Sequence, residues 1–114
     1  MSEKLFAAAG SVPWTDLGNG NRRRVLVSRP ELMQVEFAFD KGAVGALHSH
    51  PHVQSSYVAE GTFEVTIGDE VMTLGPGGSF IVPPNVVHGV KALTGGRLVD
   101  SFTPRRDDFS SARD

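Results

Sequence analysis

Apolar and polar residues alternate with a period of two through much of the chain. From Glu31 to Asp40 the odd positions Met33, Val35, Phe37 and Phe39 are apolar, whereas Gln34, Glu36 and Asp40 are polar, the pattern of a strand with one face in a core. Phe63, Val65 and Ile67 repeat it against Thr62, Glu64 and Thr66. Gly68-Asp69 separates that run from a further strand at 71–74, a hairpin signal because glycine reaches positive φ without a Cβ penalty. Gly75-Pro76-Gly77-Gly78, Pro83-Pro84-Asn85 and Thr94-Gly95-Gly96 are further turns, dividing strand-like runs at 79–82, 86–92 and 97–103. No long segment keeps a helical period. Seven to nine short strands without a helix predict an all-β fold, an antiparallel sandwich or barrel. The residues up to about Gly20 and after Pro104 read as arms.

Composition narrows the function. A chain of 114 residues is one domain. Eleven Lys and Arg against thirteen Asp and Glu leave a net charge of -2, which argues against nucleic acid or an anionic membrane as partner. The only basic run, Arg22-Arg23-Arg24, reads as a solvated strand edge, with a dimer contact or an anion site as the alternatives. The chain has no cysteine, so disulfide scaffolds, iron-sulfur clusters and thiol catalysis are excluded and a reducing compartment is permitted. The apolar patch at residues 5–9 is too short for a signal peptide, and no stretch approaches the roughly 20 apolar residues of a membrane span. A soluble, cytoplasmic protein is expected.

Three of the four histidines, His48, His50 and His52, fall within five residues. His48 and His50 are two apart on a predicted strand, so their imidazoles share a face and are placed to share a metal ion. Buried, hydrogen-bonded histidines without a metal are the alternative. His52 shares the parity of His50 and reads as an outer contact of the site or as a turn residue. On the last predicted strand Leu98, Asp100 and Phe102 form the more apolar face. That parity carries a carboxylate into a dry interior, a cost that usually marks a site; reversed parity would place Val99 inward instead.

The surroundings of the histidines follow a spaced pattern: Gly42, five residues, His48, Ser49, His50, three residues, Gln54, six residues, Gly61. A second pattern runs Gly77, five residues, Pro83-Pro84-Asn85, two residues, His88. Together they resemble the two motifs of the cupin superfamily. The resemblance implies a single domain over 1–114 with a double-sheet jelly-roll barrel at about 20–104, and one divalent transition metal held by His48, His50, Gln54 and His88. Zn, Ni, Fe and Mn all suit imidazole and amide ligands. Gln54 stands where cupins usually carry Glu, Asn85 where Gly is usual and Ala92 where Asn is usual. With Gln54 as ligand the donor set is uncharged, so the ion keeps its full positive charge and serves better as a Lewis acid and anion trap than as a redox centre.

Longer runs narrow the resemblance. Trp14, Asp16 to Gly20, Asp40 to His48, His50 to Gln54, Pro83 to Leu93 and Asp100 to Phe109 are similar to the pectin degradation protein family, one-domain cupins of pectin and alginate breakdown. This resemblance implies an enzyme that converts 4,5-unsaturated monouronates, left by polysaccharide lyases, into linear 4-deoxy-5-keto uronates by ring opening and tautomerisation. In that reading Asp100 shuttles protons, Arg106 rather than Arg105 orients the sugar carboxylate and Phe102 shapes the pocket wall. The partners are a small uronate substrate and a second copy in a homodimer. A non-haem iron dioxygenase of a small acid and a non-catalytic sugar-binding cupin are the rival readings.

Overall fold

Ten strands and one helical turn build the protein in the computed structural model, which describes residues 4–110. The strands are β1 (Thr15–Gly18), β2 (Asn21–Arg29), β3 (Leu32–Phe39), β4 (Val44–His48), β5 (Val53–Glu60), β6 (Phe63–Ile67), β7 (Glu70–Leu74), β8 (Ser79–Val82), β9 (His88–Ala92) and β10 (Gly96–Thr103), followed by α1 (Asp107–Ser110). One antiparallel sheet has six strands in the order β1-β2-β3-β10-β5-β8, and the other four in the order β4-β9-β6-β7. This is the antiparallel two-layer fold expected of the pattern and the jelly roll implied by the cupin resemblance, although the two ladders do not join into a closed barrel.

The alternation of apolar residues decides which face of each strand turns inward. On β10 Leu98, Asp100 and Phe102 are buried between partly exposed neighbours, and on β5 Gln54, Ser56 and Val58 are buried in the same way. Two apolar clusters result. Phe39, Val58, Phe63, Val65, Ala92 and Leu98 form one, in which the Phe39 and Phe63 rings meet edge to face at 5.2 Å. Met33, Val35, Phe102 and Phe109 form the other. The β6–β7 hairpin turns at Gly68-Asp69, with Gly68 at φ 57° and Ile67 opposite Glu70.

Several expectations need correction. The strands number ten rather than seven to nine, because the N-terminal segment read as an arm contributes β1, which pairs with β2. Its residues are all exposed, so it carries no buried-face periodicity to read. The C-terminal segment is likewise no loose arm: it turns once as α1 and buries Phe109 against Phe102 and Phe37, with ring centroids 5.6 and 6.0 Å apart. The arginine run is not a solvated edge, since β2 lies between β1 and β3. Arg22 pairs with Asp40 at 3.2 Å, the Arg23 guanidinium lies 4.1 Å from the Phe109 ring, and Arg24 lies 4.0 Å from the Trp14 ring while pairing with Glu36 at 2.6 Å. Glu36, a polar position of the alternation, is 4% exposed because Arg24 and Arg97 both neutralise it. Among the described residues no helix is long and apolar enough to cross a membrane.

Candidate metal centre

His48 closes β4 and lies directly opposite His88, the first residue of β9. The shared strand parity expected for His48 and His50 does not hold: β4 ends at His48, and His50 sits in the irregular segment that Pro51 enforces before β5. The chain bends there and still brings the imidazoles together. Ring nitrogens of His48, His50 and His88 all lie within 4.8 Å of one another. Gln54, the second residue of β5, reaches the same point, its Oε1 lying 3.1 Å from the Nε2 of both His50 and His88.

The hydrogen bonds of the three rings establish what this point requires. Each Nδ1 faces a main-chain carbonyl: His48 with Ala46 at 2.8 Å, His50 with His52 at 3.1 Å and His88 with Val86 at 2.9 Å. A carbonyl only accepts, so each Nδ1 carries the proton and donates it, and in a neutral ring Nε2 is left with a bare lone pair. Burial, the largest influence on both, lowers the pKa of His50 and His88 and keeps them neutral. Gln54 spends its Nε2 on Ser56 Oγ at 3.0 Å and on Asp100 Oδ2 at 3.4 Å, so it too presents lone pairs. Acceptors therefore converge on acceptors with no donor between them. A divalent cation satisfies all of them, and the donor set fits one. His52 serves through its carbonyl on His50, while its half-buried ring packs against Phe102 at 6.5 Å.

Beyond the histidines, a cavity of about 220 Å³ opens between the two apolar clusters. Its walls include Phe37, Phe80, Val90 and Leu98, and its polar groups include His48, Gln54, His88, Asp100 and Arg106. Asp100 is buried and its Oδ1 has no hydrogen-bond partner. Burial pushes its carboxyl from the ordinary 3.8 up to about 7, with a hydrogen bond from Ser56 pulling the other way. The Arg106 side chain is 13% exposed, whereas that of Arg105 is 37% exposed and pairs with Asp107. Asp108 accepts from Arg106 Nε and Nη2 at 3.1 and 2.9 Å, and the guanidinium lies 4.3 Å from the Phe109 ring and 5.4 Å from that of Phe102. The residues singled out from the sequence thus come together in one place. Sequence reasoning gave no role to Ser56 or Phe109: the first shares the strand parity of Gln54, which was a usable signal, and the second closes the run Asp100 to Phe109 that carries the family resemblance.

Residues 35–100 match the cupin domain family. The chain is a cupin. It is 42% identical over 99 residues to the pectin degradation protein KdgF of Dickeya dadantii (strain 3937), covering 85% of this cupin and 90% of that protein. An RmlC-like cupin from Shewanella frigidimarina NCIMB 400 superposes with a TM-score of 0.91 at 44% identity, covering 94% and 96% of the two chains. KdgF from Halomonas sp. superposes with a TM-score of 0.88 at 40% identity, covering 91% of this cupin and 98% of that chain.

The centre makes a direct prediction. Nickel or zinc at a thousandfold excess over its dissociation constant is expected to stabilise the folded protein by about 4 kcal/mol, read as a rise in melting temperature that EDTA reverses. His88→Ala removes one ligand and should abolish most of that rise. A melting temperature indifferent to metal in the wild-type protein would refute the site.

Proposed function

We propose that this cupin acts in the breakdown of pectin and alginate, converting 4,5-unsaturated monouronates into linear 4-deoxy-5-keto uronates. One juxtaposition carries the reading: an uncharged donor set of three imidazoles and an amide adjoins a buried carboxyl, Asp100, whose Oδ1 is unengaged on the wall of the same cavity. Likeness to two proteins named KdgF, one called a pectin degradation protein, supports it. The cavity volume suits one sugar ring rather than a polysaccharide chain.

In the substrate the ring oxygen belongs to both a C1 hemiacetal and a C4-C5 enol ether. His48, His50, Gln54 and His88 would hold a divalent ion, which would supply Lewis-acid stabilisation of negative charge on oxygen. Asp100 takes the proton of the C1 hydroxyl; the C1-oxygen bond then breaks, leaving an aldehyde at C1 and an enolate at C5. The same carboxyl returns the proton to C4, and the C5 ketone forms with no net gain of water or electrons. A carboxyl raised to about 7 is suited to both transfers near neutral pH. Arg106 is charged and held by Asp108 along one edge of its fork, so the other edge is available to the sugar carboxylate. Phe102 flanks the ring. The test is loss of the ultraviolet enol absorbance when protein is added to a pectate or alginate lyase digest. An unchanged decay rate would reject the activity, and oxygen uptake with iron would point to a dioxygenase.

A further inference from the structure

We propose that Ser56 is a positioning residue of the metal centre, its buried hydroxyl fixing which end of the Gln54 amide faces the three histidines. The proposal rests on the metal reading of the site and not on the uronate chemistry. The two ends of an amide side chain are alike in shape, yet only the oxygen has lone pairs for a cation. Rotated by half a turn, Gln54 would aim its NH2 at the bare Nε2 atoms of His50 and His88, make good hydrogen bonds there and withdraw a ligand. Something must make that rotation unfavourable.

Ser56 is placed to do so. It is 1% exposed, lies two residues beyond Gln54 on the inward face of β5 and stands directly across the ladder from Asp100 on β10. Its oxygen accepts from Gln54 Nε2 at 3.0 Å, the shorter of the two bonds that nitrogen makes; the direct one to Asp100 Oδ2 is 3.4 Å. The hydroxyl has one proton, and the Asp100 carboxylate opposite it, which in its ionised form only accepts, is the acceptor on that side. Its lone pairs are then left for an N–H donor, and the amide oxygen would find only acceptors on that side. The chain of donors runs from Gln54 through Ser56 to Asp100, and its direction leaves Oε1 toward the histidines. Donation from the amide nitrogen also enriches its oxygen in electron density, which strengthens a neutral ligand. Ser56 thus ties the amide that contacts the metal to the carboxyl on the cavity wall.

The test is nickel(II) affinity of the full chain, measured by competition with a chromophoric chelator. Ser56→Ala is expected to weaken binding about 10- to 100-fold, the usual effect of removing a group that orients a ligand, while the melting temperature of the metal-free protein stays close to the wild-type value. In a Gln54→Ala background the same substitution should have no further effect, because Ser56 acts through Gln54. Ser56→Thr and Ser56→Val have nearly equal volume, and only the first, which keeps the hydroxyl, should retain affinity. Wild-type affinity in Ser56→Ala, equal weakening in the Gln54→Ala background, or equal affinity of the Thr and Val variants would each overturn the proposal. A wild-type protein that cannot compete with the chelator at all would instead overturn the metal reading, and the proposal with it.

Discussion

Asp100→Asn is expected to slow turnover of the unsaturated uronate by about 10²- to 10⁴-fold, the range for removal of a general acid-base group, with metal content unchanged. The substitution keeps shape and an oxygen to accept from Ser56 and Gln54, so the ligand side of the network survives. It also has a stability signature that separates lost chemistry from lost structure. The Asp100 carboxyl titrates near 3.8 when unfolded and at about 7 in the folded, metal-free protein, because burial disfavours its charge. Between those values the folded state holds the extra proton, so this group's contribution falls as pH rises from about 4 to about 7, by roughly 4 kcal/mol in all. The asparagine variant has no such loss. His50 and His88 titrate in both proteins, so the difference between the two stability curves isolates Asp100. Metal-free Asp100→Asn should equal or fall below wild type near pH 4 and exceed it above pH 7, as measured by urea denaturation. A variant with full metal and undiminished turnover would remove Asp100 from the mechanism; one that binds no metal would show that the carboxyl acts on the ligands instead of on the substrate.

Much of the site was legible because strand geometry converts sequence parity into direction. Leu98, Asp100 and Phe102 alternate inward as their pattern predicts, and the interval from His50 to Gln54 brings both to one point although His50 is off the strand. What failed to show has definite physical causes. β1 is exposed along its whole length and is held by pairing with β2, a property of the backbone that side-chain pattern does not encode. Phe109 is one aromatic in a polar tail, and its burial depends on Phe37, Phe102 and Arg23, distant in sequence. Glu36 reads as an outward polar residue, yet it is buried because two arginines from different strands meet it. Each of these is a long-range pairing, and no local period reports one. The clustered histidines were accessible for the opposite reason: their spacing is itself the signal.

The glycines of the first motif show how spacing and placement of the site are connected, and Gly61→Ala is expected to be the most damaging single methyl addition in the chain. Gly61 has φ +82°, and a Cβ there would lie 2.4 Å from the carbonyl oxygen of Gly95 and 2.7 Å from the Cα of Gly96. Both obstacles are backbone, which has no rotamer by which to retreat. Gly42, at the other end of the motif, has a similar φ of +84° and open space around it. Gly42→Ala should therefore cost only the left-handed conformation, about 1 to 2 kcal/mol, whereas Gly61→Ala adds overpacking of about 1 to 3 kcal/mol or more. The denaturation midpoints of the two variants, compared at equal m-value, measure that difference directly; equal midpoints would show that the close approach at Gly61 carries no energy. The consequence reaches the site. Gly61 directly follows the strand that carries Gln54 and Ser56, and Gly96 begins the strand that carries Asp100 and Phe102. Their contact closes the end of the β5–β10 ladder, one β-bulge at Arg97/Leu98 away from the pairs Asp100–Ser56 and Phe102–Gln54. A methyl that forces the two backbones apart moves the carboxyl relative to the amide, so Gly61→Ala that still folds should bind nickel more weakly than Gly42→Ala and lose more turnover than its stability loss explains.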